Sequence, residues 1–214
     1  MLGSEGFDLW ADGYDRAVGV SDDENSYPFA GYREVLEGIF RIITERKNAS
    51  VLDIGFGTGT LTERLYRHGC SIHGQDFSSK MIETASRKMP GAHLCQGDFT
   101  EGLAEELRNQ KYDFIVATYS LHHLTDERKT VFLQALQDQL NDGGMILIGD
   151  VAFQTREAMD RCRLETGDAW DDGESYFAVD ELKKDFPELS FVQVSFCAGI
   201  LILPRSVSGK PSGA

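Results

Sequence analysis

Two periodicities alternate along this chain. Short apolar runs of strand length, at residues 51–54, 70–76, 93–99, 112–119 and 145–150, are separated by longer stretches of helical spacing, such as residues 60–68 and the helix that starts after Phe77. The turn Asn141-Asp-Gly-Gly144 precedes the last of these runs. Strand and helix alternating across residues 50–150 predict an α/β domain, a mostly parallel, doubly wound sheet covered by helices on both faces. Beyond Asp150 the pattern predicts a helix over 155–166, an acid-rich loop, a short helix over 179–185, and strands around 189–195 and 197–203. Little more than a turn separates these last two strands. A parallel crossover needs a dozen residues, so they pair antiparallel or through a bulge.

The strand ends carry the candidate chemistry. Residues 51–59 read Val-Leu-Asp-Ile-Gly-Phe-Gly-Thr-Gly, a strand running into a tight turn and then a helix. Gly55, Gly57 and Gly59 open backbone conformations closed to residues with a Cβ and let a ligand approach the main chain, while the N–H groups of the following helix point at it. A dinucleotide fingerprint would place Gly or Ala at position 60, where Thr60 stands. Asp53, two residues before the first glycine, suits a ligand that carries an amino group. Asp76 ends the second strand and can accept both hydroxyls of a ribose, or cap the next helix. Asp98 and Phe99 close the third strand: they could hold an adenine by its amino group and ring, or serve as a turn acid and a core aromatic. Tyr119 ends the fourth. Four strand ends thus agree on one edge of the sheet, the edge at which such sheets bind ligands.

In this order and at these spacings the landmarks resemble the class I S-adenosylmethionine-dependent methyltransferases of small-molecule type. The resemblance implies a Rossmann-like, seven-stranded sheet, mostly parallel with an antiparallel last strand, and S-adenosyl-L-methionine as cofactor. It places Asp53, Gly55, Gly57, Gly59, Asp76, Phe77, Met81, Asp98, Phe99 and Tyr119 around that cofactor. The segment Trp10-Ala-Asp-Gly-Tyr14-Asp15 is similar to the Trp/Phe-x-x-x-Tyr-Asp segment that members fold over the cofactor as a lid, which adds Trp10 and Tyr14. Phe7, Trp10 and Tyr14 also share one helical face, as a packing helix would require. The expected organisation is an N-terminal helical lid over 1–45, a methyltransferase core over 46–205 and a small, polar, disordered tail over 206–214. The Asn-Pro-Pro-Tyr motif used on planar nitrogens is absent, and Thr118-Tyr-Ser-Leu stands in its place.

Composition narrows the acceptor. The chain has 214 residues, 41% of them hydrophobic, enough for one well-packed domain. A net charge of −14 with no Lys/Arg cluster argues against nucleic acid and slows approach to an anionic membrane, leaving a small-molecule substrate by elimination. Residues 1–6 lack the basic and apolar regions of a signal peptide and no apolar run approaches membrane-spanning length, so a cytoplasmic protein is expected. Cys70, Cys95, Cys162 and Cys197 are scattered and read as buried, reduced thiols. The five histidines form no His-Glu-x-x-His or similar set, so no metal site is expected.

Transfer from a sulfonium needs mainly position and desolvation from the protein. His122 and His123, just past the fourth strand, are the candidate catalytic residues because imidazole titrates near neutrality, although a Leu-His-His-Leu stretch also caps and packs. The acidic segment 168–174, with Trp170 at its centre, could steer a cationic or amine-bearing acceptor, or be plain solvated surface. Two other functions use comparable features: a non-catalytic S-adenosylmethionine-binding regulator, and an NAD(P)-dependent oxidoreductase.

Overall fold

The computed structural model describes residues 14–206. Its strands are β1 (Ser50–Ile54), β2 (Ser71–Asp76), β3 (His93–Gln96), β4 (Tyr112–Thr118), β5 (Leu140–Phe153), β6 (Phe177–Ala178), β7 (Ser190–Gln193) and β8 (Ala198–Pro204). Its helices are α1 (Tyr14–Asp23), α2 (Tyr32–Thr44), α3 (Thr60–Arg67), α4 (Ser79–Lys88), α5 (Glu105–Arg108), α6 (Asp126–Gln137), α7 (Arg156–Thr166) and α8 (Val179–Leu182). Phe7, Trp10, the side chain of Tyr14 and residues 207–214 lie outside the described part.

Seven strands follow the order β3-β2-β1-β4-β5-β8-β7, and the two-residue β6 pairs with β5 beside that path. β1 through β5 run parallel, whereas β8 is antiparallel to β5 and to β7. The short connection between β7 and β8 therefore forms the antiparallel pair that its length demands. β5 starts at Leu140 instead of 145: Tyr112 faces Leu140 and Phe114 faces Met145, so residues 141–144 bulge out of the ladder. Gly143, at φ +70°, supplies the left-handed residue this excursion needs.

β1 lies at the centre of the sheet, and its side chains alternate between two apolar layers as a strand must. Leu52 and Ile54 join Ile115, Ile146, Phe132, Leu133 and Leu136 on the α6 side. Val51 joins Val116, Leu147, Ile200 and the α2 residues Val35, Leu36, Ile39 and Ile43 on the other. Covering both faces explains why the central strands read as nearly continuous apolar runs. Gly149 on β5 lets α2 settle this closely, since a Cβ there would come within 2.4 Å of Val35 Cγ1. Cys70, Cys162 and Cys197 are buried, Cys95 is half-buried, and all four are free thiols. Among the described residues no helix is long and apolar enough to cross a membrane.

The edge of the sheet away from the strand ends is fastened by one side chain. Asp113, on β4, accepts from Ser50 N at 2.9 Å, Ser50 Oγ at 3.1 Å, Arg46 Nη1 at 2.7 Å and Asn141 Nδ2 at 3.0 Å, tying β1, β4 and the β5 bulge together. Partial burial opposes its charge, but these donors outweigh burial and hold its pKa below the ordinary 3.8. A depressed native pKa adds stability that is fully present above the unfolded value and disappears as the pH falls through the native one. Asp113→Ala should therefore cost about 2 kcal/mol at neutral pH, lowering Tm by roughly 4–8 °C in a chain of this length. Thermal melts across the acid range check this. A wild-type advantage that stayed constant down to pH about 2 would contradict the linkage.

Candidate active site

The loop after β1 is built around two demanding glycines. Gly55 has φ +69°, and a Cβ on it would stand 2.7 Å from Ser120 Cβ, so only glycine lets the ends of β1 and β4 come this close. Ser120 Oγ then donates to Ile54 O at 2.9 Å across that junction. Gly57, at φ +55°, is the opposite case: a Cβ would meet nothing within 4 Å, leaving its main chain open to the space above the sheet. Its N–H donates to Asp76 Oδ2 at 2.8 Å, and Ser78 N donates to Asp76 Oδ1 at 2.9 Å. The N-cap of α4 is Ser78, whose side chain accepts from Met81 N, so Asp76 is not the helix cap. From outside, Lys88 Nζ props the loop by donating to Thr58 O at 2.8 Å.

A cleft of about 70 Å³ opens above these strand ends, lined by Asp53, Gly55, Gly57, Asp76, Phe77, Met81, Phe99, Tyr119, Ser120 and His123, with Tyr32 over it. Most residues expected around a cofactor thus meet in one place. Gly59 forms the αL N-cap of α3, directly behind the lining. Asp98 is exposed and caps the turn Phe99–Glu101 by accepting from Thr100 N at 2.8 Å; it is not part of the lining. Phe99 lines the cleft and also stacks on Phe132 at 6.4 Å, as the core aromatic among its expected roles would. Pockets that enclose a drug-sized ligand measure roughly 300–1,000 Å³, so admitting a nucleoside requires the side chains above this cleft to part. A larger groove of about 720 Å³ runs between α2 and α3, but its arginines are engaged by acids: Arg33 by Asp23 at 2.5 Å, and Arg41 and Arg64 by Glu37 at 3.0 and 2.6 Å.

Beyond β4 the chain turns sharply. Tyr119 is a non-glycine residue at φ +49°, buried against Phe29 and Tyr32 with ring centroids 5.3 and 5.1 Å away. Such a conformation costs of order 1–3 kcal/mol and survives where packing enforces it. It launches the 3₁₀ turn Leu121–His123 toward β5. There His122 Nδ1 lies 2.7 Å from Asp150 Oδ1, and a carboxylate can only accept, so Nδ1 carries the hydrogen. His122 Nε2 faces Glu174 Oε1 at 3.5 Å, and His123 Nδ1 faces the same oxygen at 3.8 Å.

Glu174 is the functional residue that the sequence reading did not single out by itself. It belongs to the acidic segment, yet its fellows point elsewhere: Asp168 is exposed, Asp171 Oδ1 accepts from Gly173 N at 2.7 Å, and Asp172 pairs with Arg163 at 2.7 Å. Trp170 stacks on Tyr27 at 5.3 Å instead of presenting an open face. What brings Glu174 in is buried Lys129 on α6, whose Nζ donates to the carbonyls of Ser175 and Tyr176 and to Asp126 Oδ1 at 3.0 Å, above the Phe177 ring. Ser175 N donates to His122 O at 2.8 Å, and Tyr176 OH to Glu174 Oε2 at 2.8 Å.

Burial and neighbouring charge give three of these groups unusual protonation. Burial, with some help from Asp76, lifts Asp53 to about 7 despite a 2.5 Å bond from Thr62 Oγ1. Burial also drives His123 down to about 4, reinforced by His122. In His122 burial acts in the same direction, but Asp150 and Glu174 overcome it and the pKa is raised. Adjacent imidazoles are pushed apart in this way: the carboxylates beside His122 favour its charged form, and burial favours the neutral form of His123.

Residues 51–144 match a methyltransferase domain family. An uncharacterised methyltransferase of Oceanobacillus iheyensis is 35% identical over 152 residues, which cover 71% of this chain and 68% of the relative. Another, from a Geobacillus species, is 34% identical over 193 residues, 86% of this chain and 87% of its own. Among solved structures, the complex of DhpI with SAH superposes with a TM-score of 0.68 at 18% identity over 94% of each chain. Magnesium protoporphyrin IX methyltransferase from Synechocystis PCC 6803 with bound SAH gives a TM-score of 0.65 at 18% identity, covering 83% of this chain and 85% of that one. At such identity the structural likeness concerns the fold.

The opposed histidines generate a direct expectation. In an NMR titration of the imidazole resonances, assigned with His122→Asn and His123→Asn, His123 stays neutral down to pH about 4 and His122 remains charged above the ordinary 6.5. Two histidines titrating together near 6.5 would contradict this separation.

Proposed function

From the premise that this chain belongs to the class I S-adenosylmethionine-dependent methyltransferase family, we propose that it transfers a methyl group from S-adenosylmethionine to a small-molecule acceptor bound beside His122 and His123. The observation that carries this reading is the convergence of the β1 loop, Asp76, Tyr119 and His123 on one cleft at the carboxyl ends of the parallel strands. The cleft suits that cofactor in its own chemistry. Asp53 Oδ1 is buried without a hydrogen-bond partner among the described residues, an acceptor that an ammonium group would satisfy. The open space over Gly57 lets a ligand lie against the main chain. Phe77, Met81 and Phe99 offer an apolar wall for an adenine, and Asp76 a carboxylate for ribose hydroxyls. Asp98 would reach an adenine only by giving up its bond to Thr100 N.

Bound there, S-adenosylmethionine supplies an electrophilic methyl on a sulfonium, for in-line displacement by the acceptor. This chain's residues supply position and dryness. Tyr32 and Tyr119 line the cleft with Phe29 packed behind Tyr119, and aromatic rings beside a sulfonium favour its charge. Trp10 and Tyr14 would add a lid. His123 lines the cleft as a neutral imidazole above pH about 4, and is the titratable group beside which an acceptor would lose a proton. The charge of −14, which disfavours polyanions, favours a small acceptor over a nucleic acid.

Asp53 gives the proposal a pH signature. Below about pH 7 its carboxyl holds a proton, and an ammonium group pairs with it only once that proton has gone. Affinity for S-adenosylmethionine, measured by calorimetry, should rise with pH through about 7, and Asp53→Asn should bind about tenfold or more weakly. The variant should also lose the pH dependence, apart from titration of the ligand's own amine. Tight binding of a nicotinamide dinucleotide with no heat from S-adenosylmethionine would overturn the assignment.

A further inference from the structure

We propose that His122, His123 and Glu174 form a binding site for one divalent first-row transition metal ion of zinc type, at the acceptor end of the cleft. Two imidazole nitrogens and one carboxylate oxygen make a set suited to such ions, and three protein ligands leave positions open for a further molecule. The three ligand atoms lie within 4.8 Å of one another. Bonds of about 2.0–2.1 Å in a tetrahedral site place ligand atoms roughly 3.3–3.4 Å apart. His122 Nε2 to Glu174 Oε1 is 3.5 Å and His123 Nδ1 to the same oxygen is 3.8 Å, so shifts of a few tenths of an ångström would close those two edges. These separations are also too long for the charge-assisted hydrogen bonds, about 2.7–2.9 Å, that an imidazole and a carboxylate otherwise form.

The partners behind the ligands favour the same conclusion. Metal-binding histidines characteristically donate their other nitrogen to a carboxylate, which fixes ring and tautomer and turns the lone pair toward the ion. His122 does this: Nδ1 donates to Asp150 Oδ1, itself held by Val151 N at 2.8 Å, and Nε2 is directed at Glu174, where the ion takes the place of the proton that Nε2 carries in the charged ring. Glu174 is oriented in its turn, since Tyr176 OH occupies Oε2 and leaves Oε1 facing both histidines. Lys129, buried to 1% exposure, anchors the carbonyls on either side of this junction and so fixes the loop that delivers the carboxylate.

The ion's role rests on the methyltransferase reading, whereas its binding does not. His123 lines the cleft, so the open coordination positions adjoin the place where an acceptor would sit. A hydroxyl or thiol held on the ion loses its proton to solvent more readily. The resulting anion attacks the methyl carbon as the carbon–sulfur bond breaks and its electron pair goes to sulfur. The acceptor class this favours is a hydroxyl- or thiol-bearing small molecule.

The test is cobalt(II) titration of the tag-free, full-length protein after chelator treatment, followed by visible ligand-field absorption. One equivalent of cobalt(II) should bind in the micromolar range, with zinc(II) displacing it and magnesium(II) failing to. Glu174→Gln and His123→Ala should each weaken binding at least tenfold. Tyr176→Phe and Asp150→Asn, which alter only orienting partners, should weaken it about 10–100-fold. Asp172→Asn, on the outer side of the same loop, should leave it unchanged. Circular dichroism and S-adenosylmethionine calorimetry on each variant separate loss of the site from loss of the fold. No ligand-field band, or a band undiminished in folded Glu174→Gln, overturns the metal site even if the cofactor binds. Metal binding by a protein that does not bind S-adenosylmethionine would instead sink the functional proposal and leave the metal site standing.

Discussion

Parallel pairing of β1 with both its neighbours is the constraint on which the site depends. The register sets Asp53 beside Gly74 and Val116, and Ile54 beside Gln75 and Ala117, so three strands finish at one level. Side chains far apart in sequence, from Asp53 to Asp150, are then delivered to one edge without any loop having to find another. The edge also has to be tight. Gly55 against Ser120 and Gly57 against Asp76 are contacts made by backbone, and a main chain that approaches this closely leaves its amides positioned before any ligand arrives. The opposite edge is fixed by Asp113, which keeps the strands from sliding and so preserves the level at which they end.

Gathering carboxylates at one edge of an acidic protein has an electrostatic cost, and the site offsets it one group at a time. Asp76 is satisfied by the amides of Gly57 and Ser78. Asp53 is given a hydroxyl partner on one oxygen only, and the proton it retains to about pH 7 relieves the remainder. Asp150 is met by His122 and by Val151 N. Glu174 lies between two imidazoles and a tyrosine hydroxyl, with Lys129 beneath its loop. The polar groups are therefore directional, each held by a partner from a rigid element, which is the condition for preorganisation.

The sequence showed those parts of this arrangement that local chemistry determines. The β1 glycines, the acid closing β2 and the antiparallel pairing of the last two strands could be read from spacing and from the length a crossover needs, whereas the inverted last strand of the sheet followed from the family resemblance and the order of the strands came only with the structure. So could the placement of Tyr119 and His123, because each directly follows a strand whose end was recognisable. Features set by tertiary contact were less legible. Ser78, not Asp76, caps α4 because the chain needs two more residues to turn, and Asp98 turns back on Thr100 N because its strand is short and its end exposed. The turn before the fifth run became a bulge, since β4 and β5 resume pairing on its near side at Tyr112 and Leu140. Glu174 looked like one acid among four. Its selection comes from Lys129, whose burial on α6 gives no sign in the sequence of which loop it will hold.

One set of rings joins the two halves of the site. Phe29 and Tyr32 cover Tyr119 at the cofactor end, while Tyr27, only a few residues earlier, stacks on Trp170 and shares a hydrogen bond with Tyr176 OH at the histidine end. Tyr176 is the residue that orients Glu174. The Tyr27–Tyr176 hydroxyl contact therefore links the segment above the cleft to the side chain that sets Glu174. The segment 27–32 thus contacts both the cofactor end of the cleft and the tyrosine that orients Glu174. Rings packed over the cofactor end and a hydroxyl-oriented carboxylate at the histidine end thus share one support, and aromatic packing of this kind is also what keeps water from a cleft.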